Sequence, residues 1–134
     1  MKHFVDTNIF LRFFIKDEPK QALRVQKLFE KAKNGNINLW THEWVISEIV
    51  WTLFSYYGMS KGETFDVIKK IINTQGLEVR NKNLMLEALD LYLAKNVDLE
   101  DAISAIIARD SKIKDVFSYD KHFDRISWLK RSEP

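Results

Sequence analysis

The chain has no cysteine at all. That excludes a disulfide scaffold, a thiolate zinc site and a cysteine nucleophile. Glycine occurs four times and proline twice. Such sparse punctuation suits a helix-rich domain with short connections rather than a linker-rich or low-complexity chain. No internal period repeats. No long apolar run is present either: the N-terminal stretch is broken by Asp6 and again by Arg12, so it has no signal-peptide core. No segment reads as a bilayer span. The expectation is a cytoplasmic protein with no membrane partner. A strong charge of one sign is also missing. Lys+Arg is 21 and Asp+Glu is 19, a net of +2, too little to announce a nucleic-acid binder from bulk charge.

What is present is an ordinary globular composition. Apolar residues are 46% and charged residues 30% of 134 positions. A chain of that length buries about two-thirds of its unfolded surface. One domain over residues 1–134 is therefore expected, with its own core.

Short apolar runs alternate with helical periodicities. His3–Val5 reads as a buried strand ending at Asp6, followed by a short helix over Asn8–Ile15. Asp17-Glu18-Pro19 opens a helix that Asn34-Gly35-Asn36 ends. Ile37–Trp40 is a strand, and Thr41 is expected to cap a helix that Gly58 stops. Ser60-Lys61-Gly62-Glu63 fits a capping box opening a further helix, stopped by Gly76. Leu77–Val79 reads as a strand, and Asn83–Ala94 and the segment from Asp98 or Leu99 as helices. Val116–Ser118 is a strand, Ile126–Trp128 a candidate edge strand, and Lys130–Pro134 a frayed tail. Strands alternating with helices imply a parallel sheet covered on both faces. In such folds the site lies at the carboxyl ends of the strands.

Acids occupy or adjoin those ends. Asp6 follows the first strand and Asp120 the Val116–Ser118 strand. Glu48 lies on the helix after the second strand, and Asp98 and Asp101 at a helix start. Each has an ordinary alternative. Asp6, Asp98 or Asp101 can cap a helix or complement its dipole. Glu48 can pair with a Lys or Arg. Asp120 and Asp124 can be turn residues. Taken together, clustered carboxylates persist where cations neutralise them. Oxygen-only ligands select Mg²⁺ or Mn²⁺. Such ions activate water against a phosphodiester.

Phe4-Val5-Asp6-Thr7-Asn8-Ile9-Phe10 resembles the opening signature of the PIN-domain nucleases. Glu48 in Ile46-Ser47-Glu48-Ile49, then Asp98-Leu99-Glu100-Asp101-Ala102, then Ser118-Tyr119-Asp120-Lys121-His122-Phe123 continue the likeness. Order, spacing and length are similar to those of VapC-type toxins of toxin–antitoxin pairs. The resemblance implies a three-layer α/β/α sandwich with a central parallel sheet and a protruding helical hairpin. It implies a Mg²⁺- or Mn²⁺-dependent endoribonuclease with Asp6, Glu48, Asp101 and Asp120 as the acidic quartet, both catalytic and metal-binding. Asp98 is then an auxiliary acid, and Thr7, Asn8 and Ser118 are polar supports. Arg12, Lys16, Lys20, Lys121 and His122 are candidate RNA-backbone contacts, with solvated surface as the alternative for each. It further implies an antitoxin that lays an apolar helix beside the hairpin. The aromatics Trp40, Trp44, Trp51, Phe54, Tyr56 and Tyr57 are core candidates that leave surface for that partner or for a homodimer.

Two other function classes compete. A non-catalytic RNA- or partner-binding module on the same fold is separated from an enzyme by a turnover assay. A phosphotransfer domain with Asp6 as nucleophile would want a second acid, and position 8 is Asn8.

Overall fold

The structure, a computed structural model, describes residues 1–134. The fold is α/β, of the α/β/α sandwich class built on parallel strands, as the sequence leads one to expect. The chain forms two compact units, Met1–Lys82 and Asn83–Pro134.

The first unit carries a three-stranded parallel sheet in the order β1 (Lys2–Phe4), β2 (Asn38–Thr41), β3 (Leu77–Val79). Lys2 pairs with Asn38, and Leu39 with Leu77. The first crossover holds α1 (Thr7–Ile15) and α2 (Pro19–Lys33). Pro19 sits in the first turn of α2, where its missing N–H costs nothing, and Lys31 and Lys33 face the dipole's negative end. The second crossover holds α3 (Glu43–Trp51), a π-helical turn (Thr52–Tyr56) and α4 (Lys61–Ile72). The Ser60 hydroxyl accepts from the Glu63 N–H at 3.1 Å and donates to the Glu63 carboxylate at 3.0 Å, so the cap read from the sequence forms. Phe10, Leu39, Ile46, Ile49, Leu53, Ile68, Ile71 and Ile72 are fully buried. Burying one side chain of this size is worth about 1.5–3 kcal/mol.

Thr41 does not cap α3. It ends β2, fully buried, and its hydroxyl donates to the Val5 carbonyl at 3.0 Å; His42 takes the cap position. A β-branched residue with a hydroxyl satisfies a strand-end carbonyl as readily as a helix end, and the packing decided for the strand.

The second unit carries α5 (Lys82–Lys95, beginning at the unit boundary) and α6 (Leu99–Asp110). A parallel pair, β4 (Asp115–Phe117) and β5 (Lys130–Ser132), completes it. A 3₁₀ turn spans Lys121–Arg125. The last strand is not Ile126–Trp128, and the tail is not frayed. Ile126 is buried behind the 3₁₀ turn, and the Trp128 indole N–H donates to the Ala105 carbonyl at 2.9 Å. Arg131, almost covered, donates to Asp124 at 2.9 Å, to Glu133 at 2.8 Å and to the Ser118 carbonyl at 3.0 Å. That guanidinium fastens the polar segment as a strand, and Asp124 is spent on it. No helix is long and apolar enough to cross a membrane.

Candidate active site

In the first unit, Asp6 is the residue on which β1 hands over to α1. Its backbone is extended (φ −85°, ψ 165°), and its side chain makes no capping bond. The carboxylate is exposed and has no ion-pair partner. Capping, the ordinary reading of an acid at this place, is therefore not what its side chain does. Thr7, the next residue, is 3% exposed, and its hydroxyl donates to Glu48 Oε2 at 2.8 Å. Glu48 lies on α3 between the buried Ser47 and Ile49. Its partner is this hydroxyl rather than a Lys or Arg. Two residues 41 apart in the chain are thus joined because α1 packs on α3. Asn8 is exposed on α1.

The carboxyl ends of β2 and β3 are bridged by an ion pair absent from the sequence reading. Glu43, in the first turn of α3, accepts from Arg80 Nε at 3.0 Å, and the Arg80 N–H donates to the Thr41 carbonyl at 3.0 Å. The Arg80 bond holds the Glu43 carboxyl below the usual range. Nothing in a linear pattern links residues this far apart.

In the second unit, Asp98 is the N-cap of α6, and its side chain makes no capping bond. Asp101, one turn on, is partly buried. Burial pushes its carboxyl above the usual value, and the charges of Asp120, Asp98 and Glu100 push the same way. Asp120 follows β4 and caps the 3₁₀ turn. One of its oxygens accepts from the His122 N–H at 2.9 Å and meets the His122 ring Nδ1 at 2.6 Å. These bonds hold the Asp120 carboxyl below its usual range. The Ser118 hydroxyl accepts from the Asp120 N–H at 2.9 Å, so Ser118 does support this acid. His122 belongs to Asp120; the sequence offered it only as a phosphate contact.

The basic candidates divide. Arg12 is bound to Gln21 at 2.7 Å and Asp17 at 3.3 Å. Lys16 ends α1 in the left-handed conformation (φ 58°). Lys20 and Lys121 are exposed with no ion pair.

The donor set suits a hard cation in kind, because every candidate ligand offers carboxylate oxygen. At Asp101 burial first, and the neighbouring acids second, disfavour the charged carboxylate, a cost that a bound cation would offset. The acids are not gathered as a ready cage: no group of three or more His, Asp or Glu stands arranged to hold an ion.

The PIN-domain family model matches residues 3–129. A VapC ribonuclease of Aquifex aeolicus (strain VF5) is 26% identical over 124 residues, covering 92% of this chain and 91% of that protein. All four acids of the quartet lie inside the matched span. The chain belongs to the PIN-domain family.

Proposed function

We propose that this chain is a Mg²⁺- or Mn²⁺-dependent endoribonuclease and the toxin of a type II toxin–antitoxin pair, acting in the cytoplasm. Asp6, Glu48, Asp101 and Asp120 are its metal-binding and catalytic acids, with Asp98 auxiliary. The observation that carries this is that Asp6, Glu48, Asp98 and Asp101, the acids that bear the resemblance to the PIN signature, lie in a chain the PIN-domain family model matches and are not committed to ion pairs, Glu48 being held by the Thr7 hydroxyl alone. None has a cationic partner, and neither Asp6 nor Asp98 caps its helix with its side chain.

When bound, the cation supplies an acidified water as nucleophile and offsets charge on the scissile phosphate. The chain's own residues hold the acids to their task. Thr7 donates to one Glu48 oxygen and leaves the other to a ligand. Ser118 fixes the backbone of Asp120, and the His122 ring and N–H both meet one oxygen of that carboxylate, orienting it as a ligand to a metal would be oriented.

A homodimer and a small antitoxin belong to the same proposal. Trp44 is 72% and Trp51 62% exposed on α3, and Phe54, Tyr56 and Tyr57 on and after the π turn are exposed too. Large aromatics left in water along one helix suit a partner's apolar face.

The test is cleavage of end-labelled RNA with Mg²⁺, Mn²⁺ or chelator, comparing wild type with Asp6→Asn. Cleavage that needs the metal and falls to background in the variant is expected. Equal cleavage by both proteins, or cleavage in chelator, would refute the assignment. Slowed growth on expression, relieved by Asp6→Asn or Asp101→Asn, tests the toxin role in the same strains.

A further inference from the structure

A hollow of ≈ 720 Å³ lies in the second unit, lined by Arg109, Lys112, Ile113, Lys114, Ser127 and Trp128. It lies at the opposite end of α6 from Asp101. Eight residues of helix separate Asp101 from Arg109, about 12 Å along the axis. Its wall is rigid. The Trp128 indole is tied to the Ala105 carbonyl, and the Arg109 guanidinium lies 5.2 Å from the ring centroid. Arg109 is held there by Glu87 and Asp110, with bonds of 3.0 Å to each. Those two carboxylates outweigh its single charge, so Arg109 builds the wall and the attraction for an anion falls to other groups.

The rim differs. Lys112 and Lys114, on the connection from α6 to β4, have no acidic partner. Lys112 is held in the left-handed conformation (φ 61°). Ile113 between them is 52% exposed. No carboxylate lines the hollow. Two lysines outside any ion pair, and Ser127, thus line the same hollow as the Trp128–Arg109 pair.

We propose that this hollow binds a segment of single-stranded RNA. Lys112 and Lys114 take backbone phosphates, and a base packs on the Trp128–Arg109 wall. Unbalanced lysines select phosphate, and stacking on an aromatic or guanidinium plane is how unpaired bases are held. The hollow is open on one side and roomy enough to seat a base while the strand runs on across its rim. The inference rests on the ribonuclease reading for its choice of RNA, and it adds a strand-holding subsite apart from the acids.

The experiment measures binding of a short fluorescein-labelled single-stranded RNA to the full chain by anisotropy across a salt series. Chelator keeps the RNA whole. For Lys112→Ala/Lys114→Ala, the slope of log affinity against log salt should flatten by about 1.4, since each single-strand phosphate contact contributes about 0.7. Lys31→Ala/Lys33→Ala, removing equal charge from α2, should leave the slope unchanged. Trp128→Phe, which keeps a ring in place, should bind within about twofold of wild type, and Trp128→Ala should weaken binding about fivefold or more. An unchanged slope in the Lys112/Lys114 variant overturns the proposal, as does an equal loss in the α2 control. Adenosine monophosphate competing as well as the RNA would assign the hollow to free nucleotides and overturn it too. The outcomes separate from those of the parent reading. Binding that depends on Lys112 and Lys114 in a protein that never cleaves would retire the nuclease and keep the subsite. Metal-dependent cleavage with binding indifferent to these lysines would do the reverse.

Discussion

Thr7→Val removes one oxygen and keeps the shape of a side chain that is 3% exposed. What disappears is the 2.8 Å bond to Glu48 Oε2. A hydrogen bond to a charged group is worth about 1.5–3 kcal/mol when neither partner can return to water. Glu48 is exposed and recovers water, so the cost should be nearer 1 kcal/mol. With 134 residues at about 2.1 cal/mol/K each, the entropy of unfolding is about 0.28 kcal/mol/K, and the melting point should fall by roughly 3–4 °C. Burying a methyl in place of a hydroxyl partly masks the loss in the single variant. A cycle with Glu48→Ala isolates the pair, and the coupling should be about 1 kcal/mol from denaturant melts in chelator. The same substitution should raise the Mg²⁺ or Mn²⁺ needed for half-maximal cleavage about 10- to 100-fold, the usual effect of losing a group that orients a ligand. Thr7→Ser should restore the metal requirement. Coupling below about 0.3 kcal/mol together with an unchanged metal requirement would refute the claim that Thr7 positions Glu48.

Gly76 and Gly35 both have positive φ, +85° and +77°, yet a Cβ on Gly76 would lie 2.3 Å from the Ala32 carbonyl oxygen while one on Gly35 meets nothing within 4 Å. Gly35→Ala should therefore cost about 1–2 kcal/mol and Gly76→Ala roughly 3 kcal/mol or more, and equal melting points for the two would show that the close approach to α2 is not rigid. Asp101→Asn should raise the melting point in chelator at neutral pH, because burial and the neighbouring acids lift the folded-state carboxyl above its unfolded value. Wild type loses that stability as pH rises through the folded value, so the advantage of the variant should fade as pH falls below the ordinary Asp range; a difference that persists in acid would point to a packing effect instead.

The sequence by itself determined the local features whose causes are local. Pro19 and Ser60 start helices because a missing N–H and a hydroxyl acceptor act within one turn. Leu77–Val79 is a strand in both readings because two apolar residues alternating with an acid, with a glycine before them, have the period of a strand. The places of Asp6 and Asp120 were legible for the same reason: each follows a strand, and strand ends can be read from short apolar runs. Residue partners were not legible. Thr7 meets Glu48, Arg80 meets Glu43 and Arg131 meets Asp124 because helix packing and strand register carry them together, and each pairing spans chain that a linear pattern does not constrain. Ile126–Trp128 has the composition of a strand, yet burial of Ile126 and the indole bond to Ala105 gave those residues other work. The strand went to Lys130–Ser132, whose polar side chains advertise nothing and whose order comes from a backbone ladder with β4 and one nearly covered guanidinium. Tertiary structure decides in such cases because backbone hydrogen bonds are indifferent to side-chain polarity, while a buried group must find a partner wherever the fold has placed one.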